Sequence, residues 1–252
     1  MMHDIHAPED LTTDKLAELC VLMLHQIMVH HTLYFKEAEH QFGMGKALEI
    51  IDNAWTKSLQ VQMRRIGKTL GFDVEQGIPQ ALCTLPREKL LGLVQALGTN
   101  WLSADGVWFQ AVENAFTVRD AERCAASCVM RFCTFEAFSI KRFLGLGTNP
   151  GLEGLKVALR FRPYHQINVQ TILDEGPGSM VFQMNECIVQ TTRKKKGLDD
   201  YPCKSTGIVE YRSFAQTIDP RITVECIGCP PDPHPDEWYC AWRFSLPEDQ
   251  AA

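Results

Sequence analysis

The first part of the chain has apolar residues at the spacing of an α-helix. One such run consists of Leu16, Leu19, Met23 and Ile27. A period of about 3.6 residues places these side chains on one helix face. A second helix is predicted at Leu33–Gln41 and a longer third helix at Met44–Leu70. Gly71 follows the third helix, at the position where a residue able to adopt a positive φ commonly ends a helix.

The same pattern occurs a second time without a gap. Asp14–Gly71 aligns with Glu88–Gly145, so the copy should contain helices at Val107–Ala115 and Val118–Leu144. The matched pairs include Lys15 with Lys89, Phe35 with Phe109, Glu39 with Glu113, and Gly71 with Gly145. We interpret residues 1–160 as a duplicated helical region whose two units pack as a bundle with approximate twofold symmetry.

Two matched glutamates in this region are candidates for chemistry. Glu39 and Glu113 each share a helix face with phenylalanines, and a carboxylate on an apolar face must be paired or have a raised pKa. One interpretation is a pair of acids in the bundle interior, near His30 or His31, that act as metal ligands or as general acid and base. The alternative is structural, with each carboxylate capping a neighbouring helix or binding an arginine.

Residues 161–252 change from helical spacing to the alternation typical of strands. After a further helix at Leu152–Phe161, the pattern predicts two strands, a helix and two more strands, at Ile167–Leu173, Met180–Thr192, Ser205–Ile218, Arg221–Ile227 and Glu237–Leu246. The order β-β-α-β-β is typical of a small α+β domain with one helix on an antiparallel sheet. The expected fold class of the whole chain is therefore α+β.

Four cysteines in this second part have the pattern of a metal site. They are Cys203, Cys226, Cys229 and Cys240. The C-x-x-C of Cys226 and Cys229 lets two thiolates bind one tetrahedral Zn²⁺. Cys240 lies on the strand expected to return beside this motif, and Cys203 lies on the loop that enters the helix. The alternative is a thioredoxin-like redox pair, which requires the motif at a helix N-terminus, whereas here a proline-rich loop follows.

Composition and charge narrow the class of protein. The net charge of −6 disfavours nucleic-acid binding, which needs a basic surface. The first residues lack the basic-then-apolar pattern of a signal peptide, and no run approaches about 18 uninterrupted apolar residues. We expect a cytoplasmic protein that binds neither nucleic acid nor membrane. In that reducing compartment cysteines serve as core thiols, metal ligands or reactive groups.

The cysteine-rich segment resembles the C-terminus of the 4-vinyl reductase domain. The residues that carry the resemblance are Cys203, Cys226-Ile227-Gly228-Cys229 and Cys240-Ala241-Trp242. This domain occurs in bacteriochlorophyll biosynthesis proteins and in sensors of phenol-responsive activators, where a Cys, a Glu-x-x-Cys and a Cys-x-Trp bind zinc. The resemblance implies that Cys203, Cys229 and Cys240 are zinc ligands, that Cys226 replaces the glutamate, and that an apolar pocket adjoins the metal.

The whole chain is similar to a family of uncharacterised prokaryotic cytosolic proteins. The similarity rests on the phrases Trp108-Phe109-Gln110-Ala111-Val112-Glu113, Tyr201-Pro202-Cys203, Ile218-Asp219-Pro220-Arg221 and Cys229-Pro230-Pro231-Asp232. A more distant similarity connects these proteins to the L-2-amino-thiazoline-4-carboxylic acid hydrolases, which open a small sulfur heterocycle. The similarity implies architecture better than it implies chemistry.

The first functional hypothesis is a small-molecule-binding protein with a structural zinc site beside an apolar pocket. The residues expected in the pocket wall are Phe182, Met184, Tyr211, Phe214 and Trp242. The alternative interpretation of the same residues is a plain hydrophobic core.

Two further hypotheses remain open. One is a hydrolase or lyase acting on a small heterocyclic or sulfur-containing substrate, with Cys187 in mid-strand as nucleophile and His30, His31 or His165 as its base. Cys187 is otherwise a buried strand cysteine or a fifth sulfur near the zinc. The other hypothesis is a non-enzymatic adaptor in which the duplicated helices form a homodimer surface.

Overall fold

The computed structural model describes residues 6–197 and 199–247, and its α+β architecture confirms the expected fold class. The chain divides into two compact units, the first ending at Thr84 and the second beginning at Leu85. This boundary falls between the two helical repeats. The second repeat therefore belongs to the same unit as the sheet.

The first unit consists mainly of one long kinked helix. A short 3₁₀ turn at Pro8–Asp10 precedes helix α1, Thr13–Leu70. The helix kinks at Gly43, whose φ of 79° suits glycine. The separate helix expected at Leu33–Gln41 is wrong, because the chain stays helical from Thr13 to the kink. The preceding residues contain no glycine or proline that would end the first segment.

After α1 the first unit ends with three short elements. Gly71 closes the helix in the left-handed conformation with a φ of 80°, as expected from the sequence. The elements that follow are β1 Val74–Glu75, β2 Ile78–Pro79 and helix α2 Gln80–Cys83. By length and composition alone α1 is able to cross a membrane. Core helices of soluble proteins and N-terminal signal sequences meet the same criterion.

The second unit begins with the second helical repeat. Its helices are α3 Arg87–Ala115, α4 Val118–Phe143 and α5 Gly151–Arg160, followed by a 3₁₀ turn at Pro163–Gln166. As in the first repeat, α3 is continuous, so the separate helix expected at Val107–Ala115 is wrong. The α3–α4 break is stabilised by Thr117, which accepts a hydrogen bond from the backbone N–H of Asp120.

A four-stranded antiparallel sheet forms the rest of this unit. Its strands are β3 Val169–Asp174, β4 Ser179–Glu186, β5 Thr223–Gly228 and β6 Cys240–Ser245, in the spatial order β3-β4-β6-β5. Helices α6 Ile188–Lys195 and α7 Lys204–Ile218 connect β4 to β5. The antiparallel sheet agrees with the sequence prediction, whereas α6 does not.

Helix α6 replaces the second half of an expected strand. The strand predicted to continue to Thr192 ends at Glu186. The reason is the Gln190 side chain, which is buried and bonded to the backbone of Tyr201 at 2.9 Å and 2.8 Å. These hydrogen bonds join residues distant in sequence, so local alternation does not reveal them.

The core of the second unit lies between the sheet, α4, α5 and α7. Its largest buried side chains include Phe182, Phe214, Trp242 and Phe244. Helix α7 approaches the sheet closely at Gly207, where a Cβ atom would lie 2.7 Å from Cζ2 of Trp242. This packing fixes one side of the cavity described next.

Candidate functional site

The second unit contains a cavity of about 600 Å³. Its wall is built from α3, α4, α6, the start of α7 and the sheet strand β6. A cavity of this size suits a small organic molecule. The sheet side of the wall is mostly apolar, and the α3 and α7 side carries acidic groups.

Sulfur atoms occupy one part of the cavity wall. Cys187, Cys203, Cys229 and Cys240 all line it. The Sγ atoms of Cys203 and Cys229 lie 3.5 Å apart, and the Cys229 thiol also hydrogen-bonds to Cys240. Three separate segments thus bring the sulfurs of Cys203, Cys229 and Cys240 to one place.

The positions of these cysteines follow from the local fold. Cys203 is the N-cap residue of α7, whose first residue, Lys204, donates a backbone hydrogen bond of 2.9 Å to the carbonyl of Pro230. This bond holds the loop after Cys229 against the helix start. Cys226 lies on β5 opposite Trp242 of β6, as expected from the return of the last strand beside the C-x-x-C motif.

The contacts among the thiols change their pKa values in opposite directions. The hydrogen bond from Cys229 lowers the pKa of Cys203. The bonds to Cys203 and Cys240, together with burial, raise the pKa of Cys229. Cys203 is therefore the sulfur of this pair that first becomes a thiolate, which is the form that binds a metal ion.

The thiol spacing is compatible with a tetrahedral metal. Two sulfurs bound at about 2.3 Å to one zinc ion are roughly 3.8 Å apart, close to the 3.5 Å between Cys203 and Cys229. Within residues 6–197 and 199–247, no group of three or more His, Cys, Asp or Glu side chains is already arranged to hold a metal ion. Binding of zinc by all four cysteines would therefore require side-chain movement.

Cys187 lies at a different position from the one expected. It is not in mid-strand but is the N-cap residue of α6, directly after β4. Burial raises its pKa to about 11, so the thiol stays protonated at neutral pH and is a weak nucleophile.

The histidines proposed as its base have other contacts. His31 belongs to the first unit, where its Nε2 lies 3.3 Å from Oγ of Ser58, and His30 packs its ring against Tyr34. His165 is 3.2 Å from the side-chain oxygen of Gln170. In the described part of the chain no histidine hydrogen-bonds to Cys187.

The two matched glutamates have unlike surroundings. Glu39 is partly exposed on α1 in the first unit. Glu113 is exposed on α3 and borders the cavity. The expectation of a carboxylate in a bundle interior is therefore wrong for Glu113, because its helix face opens to solvent rather than to a second helix.

Of the five residues expected in the pocket wall, three line the cavity. These are Met184, Tyr211 and Trp242. Phe182 and Phe214 lie behind them in the core, where the Phe182 ring packs against Tyr211 with centroids 5.5 Å apart. Met184, Tyr211 and Trp242 therefore line the cavity as the pocket interpretation expects, whereas Phe182 and Phe214 belong to the hydrophobic core.

Sequence reasoning missed a buried ionic cluster beside the cavity. Arg162 forms ion pairs of 3.0 Å with Glu136 and 2.9 Å with Glu210, and all three side chains are buried. Burial raises the pKa of Glu210, which also lines the cavity. The available clue was its position, since Glu210 stands on the apolar stripe of α7 with Gly207 and Phe214.

Fold and site together define an α+β protein with a cavity whose wall contains a cluster of thiols. A family model described as "Family of unknown function (DUF6125)" matches residues 9–86 and 83–246, and the chain belongs to this family. No curated protein and no solved structure matches the chain. The expected membership in an uncharacterised family is thereby confirmed, and the chemistry must be argued from the cavity itself.

Proposed function

We propose that the protein binds a small organic ligand in the cavity of the second unit, beside a structural zinc ion held by Cys203, Cys226, Cys229 and Cys240. One observation carries the proposal. The sulfurs of Cys203 and Cys229 lie 3.5 Å apart in the wall of a cavity of about 600 Å³, and Cys240 lines the same wall.

A zinc ion at this place would have a structural role. It would join the start of α7, the loop after β5 and the start of β6, which are the segments that bear the cysteines. Binding of zinc to thiolates contributes free energy to folding. Zinc would therefore fix the cavity wall, and the ligand would occupy the space next to it.

The resemblance to the 4-vinyl reductase domain supports the same arrangement, since that domain places a zinc site next to an apolar pocket. The Cys226 segment and the Cys240 segment run side by side here, as such a site requires. We include in the proposal a cytoplasmic location, where thiols remain reduced.

Ligand binding is favoured over hydrolysis for a physical reason. A cysteine hydrolase needs a thiolate and a base within hydrogen-bonding reach. The Cys187 thiol has its pKa raised to about 11, and the histidines described above bond elsewhere. Hydrolysis or a lyase reaction with Cys187 remains the second candidate only because that thiol faces the cavity.

The zinc site is tested by the metal content of the purified chain. We expect one zinc ion per chain in the wild type, and its loss together with a lower melting temperature in Cys229→Ser, because Cys229 contacts two of the other thiols. The matched control is Cys128→Ser, an exposed thiol on α4, which should retain zinc and stability. Mass spectrometry and thermal unfolding measure both quantities. Equal zinc content in the wild type and Cys229→Ser, or no zinc in either, would contradict the assignment.

A further inference from the structure

An unpaired carboxylate lies in the cavity wall. Asp105 on α3 is partly buried and lines the cavity. Burial raises the pKa of this carboxyl. Among the described residues no Lys, Arg or His side chain forms an ion pair with Asp105. A partly buried carboxylate is stabilised in its charged form when a ligand supplies a positive charge beside it.

The buried cluster next to it adds further negative charge. Arg162 is one guanidinium shared by two carboxylates, Glu136 and Glu210. Glu210 is 8% exposed and reaches the cavity. When all groups are ionised, this triad carries one excess negative charge. Asp105 and Glu210 therefore give the inner wall a negative potential that no buried cation of the described residues cancels.

The positive side chains of the wall lie nearer to solvent. Arg193 on α6 and Lys196 directly after this helix border the cavity. Lys196 is exposed, and Arg193 donates a 2.7 Å hydrogen bond to the carbonyl of Asp199. Water screens these charges more strongly than those inside. The exposed carboxylate of Glu113 borders the same wall.

Aromatic rings complete the inner wall. The Tyr211 ring packs against Trp242 with centroids 4.8 Å apart, and both residues line the cavity. The guanidinium of Arg162 already lies over the rings of Tyr164 and Tyr211, at 5.1 Å and 5.7 Å. Aromatic faces near desolvated carboxylates are favourable surroundings for a cation.

We propose that the cavity takes a small organic cation, with its protonated nitrogen beside Asp105 and Glu210 and its flat apolar body against Tyr211 and Trp242. This inference rests on the proposed ligand-binding function and names the class of its ligand. A neutral or anionic molecule of equal shape would leave the Asp105 carboxylate without a cation.

Three probes of matched shape test the charge requirement. They are 4-methoxybenzylamine as the cation, 4-methoxybenzyl alcohol as the neutral analogue and 4-methoxybenzoate as the anion. Binding to the full-length wild type is measured by titration calorimetry and by quenching of tryptophan fluorescence. We expect the amine to bind about tenfold or more tightly than the alcohol, because a charge-assisted hydrogen bond is the stronger one. The benzoate should bind most weakly.

Variants locate the effect. Asp105→Asn should weaken binding of the amine about tenfold and leave binding of the alcohol unchanged. Asp105→Glu should restore part of the affinity. Glu113→Gln removes the same charge from an exposed position of the same wall and should change affinity less than about threefold, since water screens that charge. Circular dichroism verifies that each variant is folded.

The outcomes separate the two proposals. Equal binding of amine and alcohol, or an unchanged affinity in Asp105→Asn, would overturn the cation proposal while leaving a ligand-binding cavity in place. Binding of none of the three probes would also overturn it, and the proposed function would then be judged by the zinc measurement alone.

Discussion

Asp219 joins two segments of the second unit through one carboxylate. Its side chain is fully buried and accepts hydrogen bonds from the backbone N–H groups of Gly151 and Arg221, at 2.9 Å and 3.1 Å. The Arg221 side chain adds bonds of 3.0 Å and 2.8 Å. These bonds, those from the Arg221 side chain first, lower the pKa of Asp219 to about 2.

The lowered pKa makes the contribution of Asp219 depend on pH. Its folded pKa of about 2 lies below the unfolded value, so the stabilisation is complete above about pH 4 and disappears as the pH falls through 2. We expect Asp219→Asn to lower the free energy of unfolding by about 2 kcal/mol at pH 7. The difference from the wild type should shrink toward pH 2. Urea unfolding at pH 7 and at pH 3 measures it.

The control for this prediction is Asp236→Asn, an exposed carboxylate in the loop before β6. It should change stability by less than about 0.5 kcal/mol at both pH values, as is usual for surface positions. A destabilisation in Asp219→Asn that is equally large at pH 7 and at pH 3 would show that packing, rather than the charge, is responsible.

Helix α7 owes its position on the sheet to one missing side chain. A Cβ atom at Gly207 would lie 2.7 Å from Cζ2 of Trp242, closer than carbon atoms pack. Gly207→Ala should therefore destabilise the protein by about 1–3 kcal/mol through overpacking, despite the higher helix propensity of alanine. It should also shift the near-ultraviolet circular dichroism of the displaced indole. Chemical denaturation with that spectrum tests both expectations.

The control for Gly207→Ala is a glycine that has open space where a Cβ atom would lie. Gly92 lies in α3, and an added Cβ would meet nothing within 4 Å. Gly92→Ala should stabilise the protein by up to about 1 kcal/mol. Equal stabilisation by Gly207→Ala and Gly92→Ala would show that the close approach of α7 to Trp242 does not exclude a side chain at position 207.

The sequence predicts the strands of the second unit but does not predict all of its helices. The β3–β4 hairpin and the neighbouring β5 and β6 follow from alternation and turn residues. The helix α6 does not, because hydrogen bonds of Gln190 to a distant backbone hold it. Alternation along the sequence reflects local conformational preference. A helix that is held by hydrogen bonds to another part of the chain can be recognised only in the folded structure.

The candidate site likewise contains residues that the sequence predicted and residues that it did not. Spacing and the expected strand positions brought Cys203, Cys226, Cys229 and Cys240 into one hypothesis, and the structure places all of them except Cys226 in one wall. The charges of Asp105 and the Arg162 cluster gave no comparable pattern. Their importance comes from burial, which only tertiary packing creates.

The two units differ in how much apolar surface they bury. In the described part of the first unit the buried residues are Ala38, Ala47, Leu48, Gly67 and Gly77. Many large apolar side chains of α1 are exposed, among them Leu22, Met23, Leu24 and Met28. The second unit has a core that includes Phe214, Trp242 and Phe244. A helix stabilised so little by packing is marginal on its own.

Separate fragments test this difference. A fragment of residues 85–252 should unfold cooperatively at a temperature independent of concentration. A fragment of residues 1–84 should gain helicity and mass as its concentration rises, because its apolar helix faces need a partner surface. Circular dichroism and light scattering across micromolar concentrations measure this. Self-association would support the homodimer alternative, and cooperative monomeric folding of the first fragment would contradict the prediction.

The strand order has a consequence for how the protein is made. Strand β6 lies between β4 and β5 but follows both in the chain. On the ribosome β4 and β5 emerge first, and neither has its shared neighbour until Cys240–Ser245 follows. The same strand brings Cys240 and Trp242 to the cavity. A nascent chain that lacks this strand therefore has neither a continuous sheet nor a finished binding wall, and during that interval its unpaired strand edges are open to pairing with other chains.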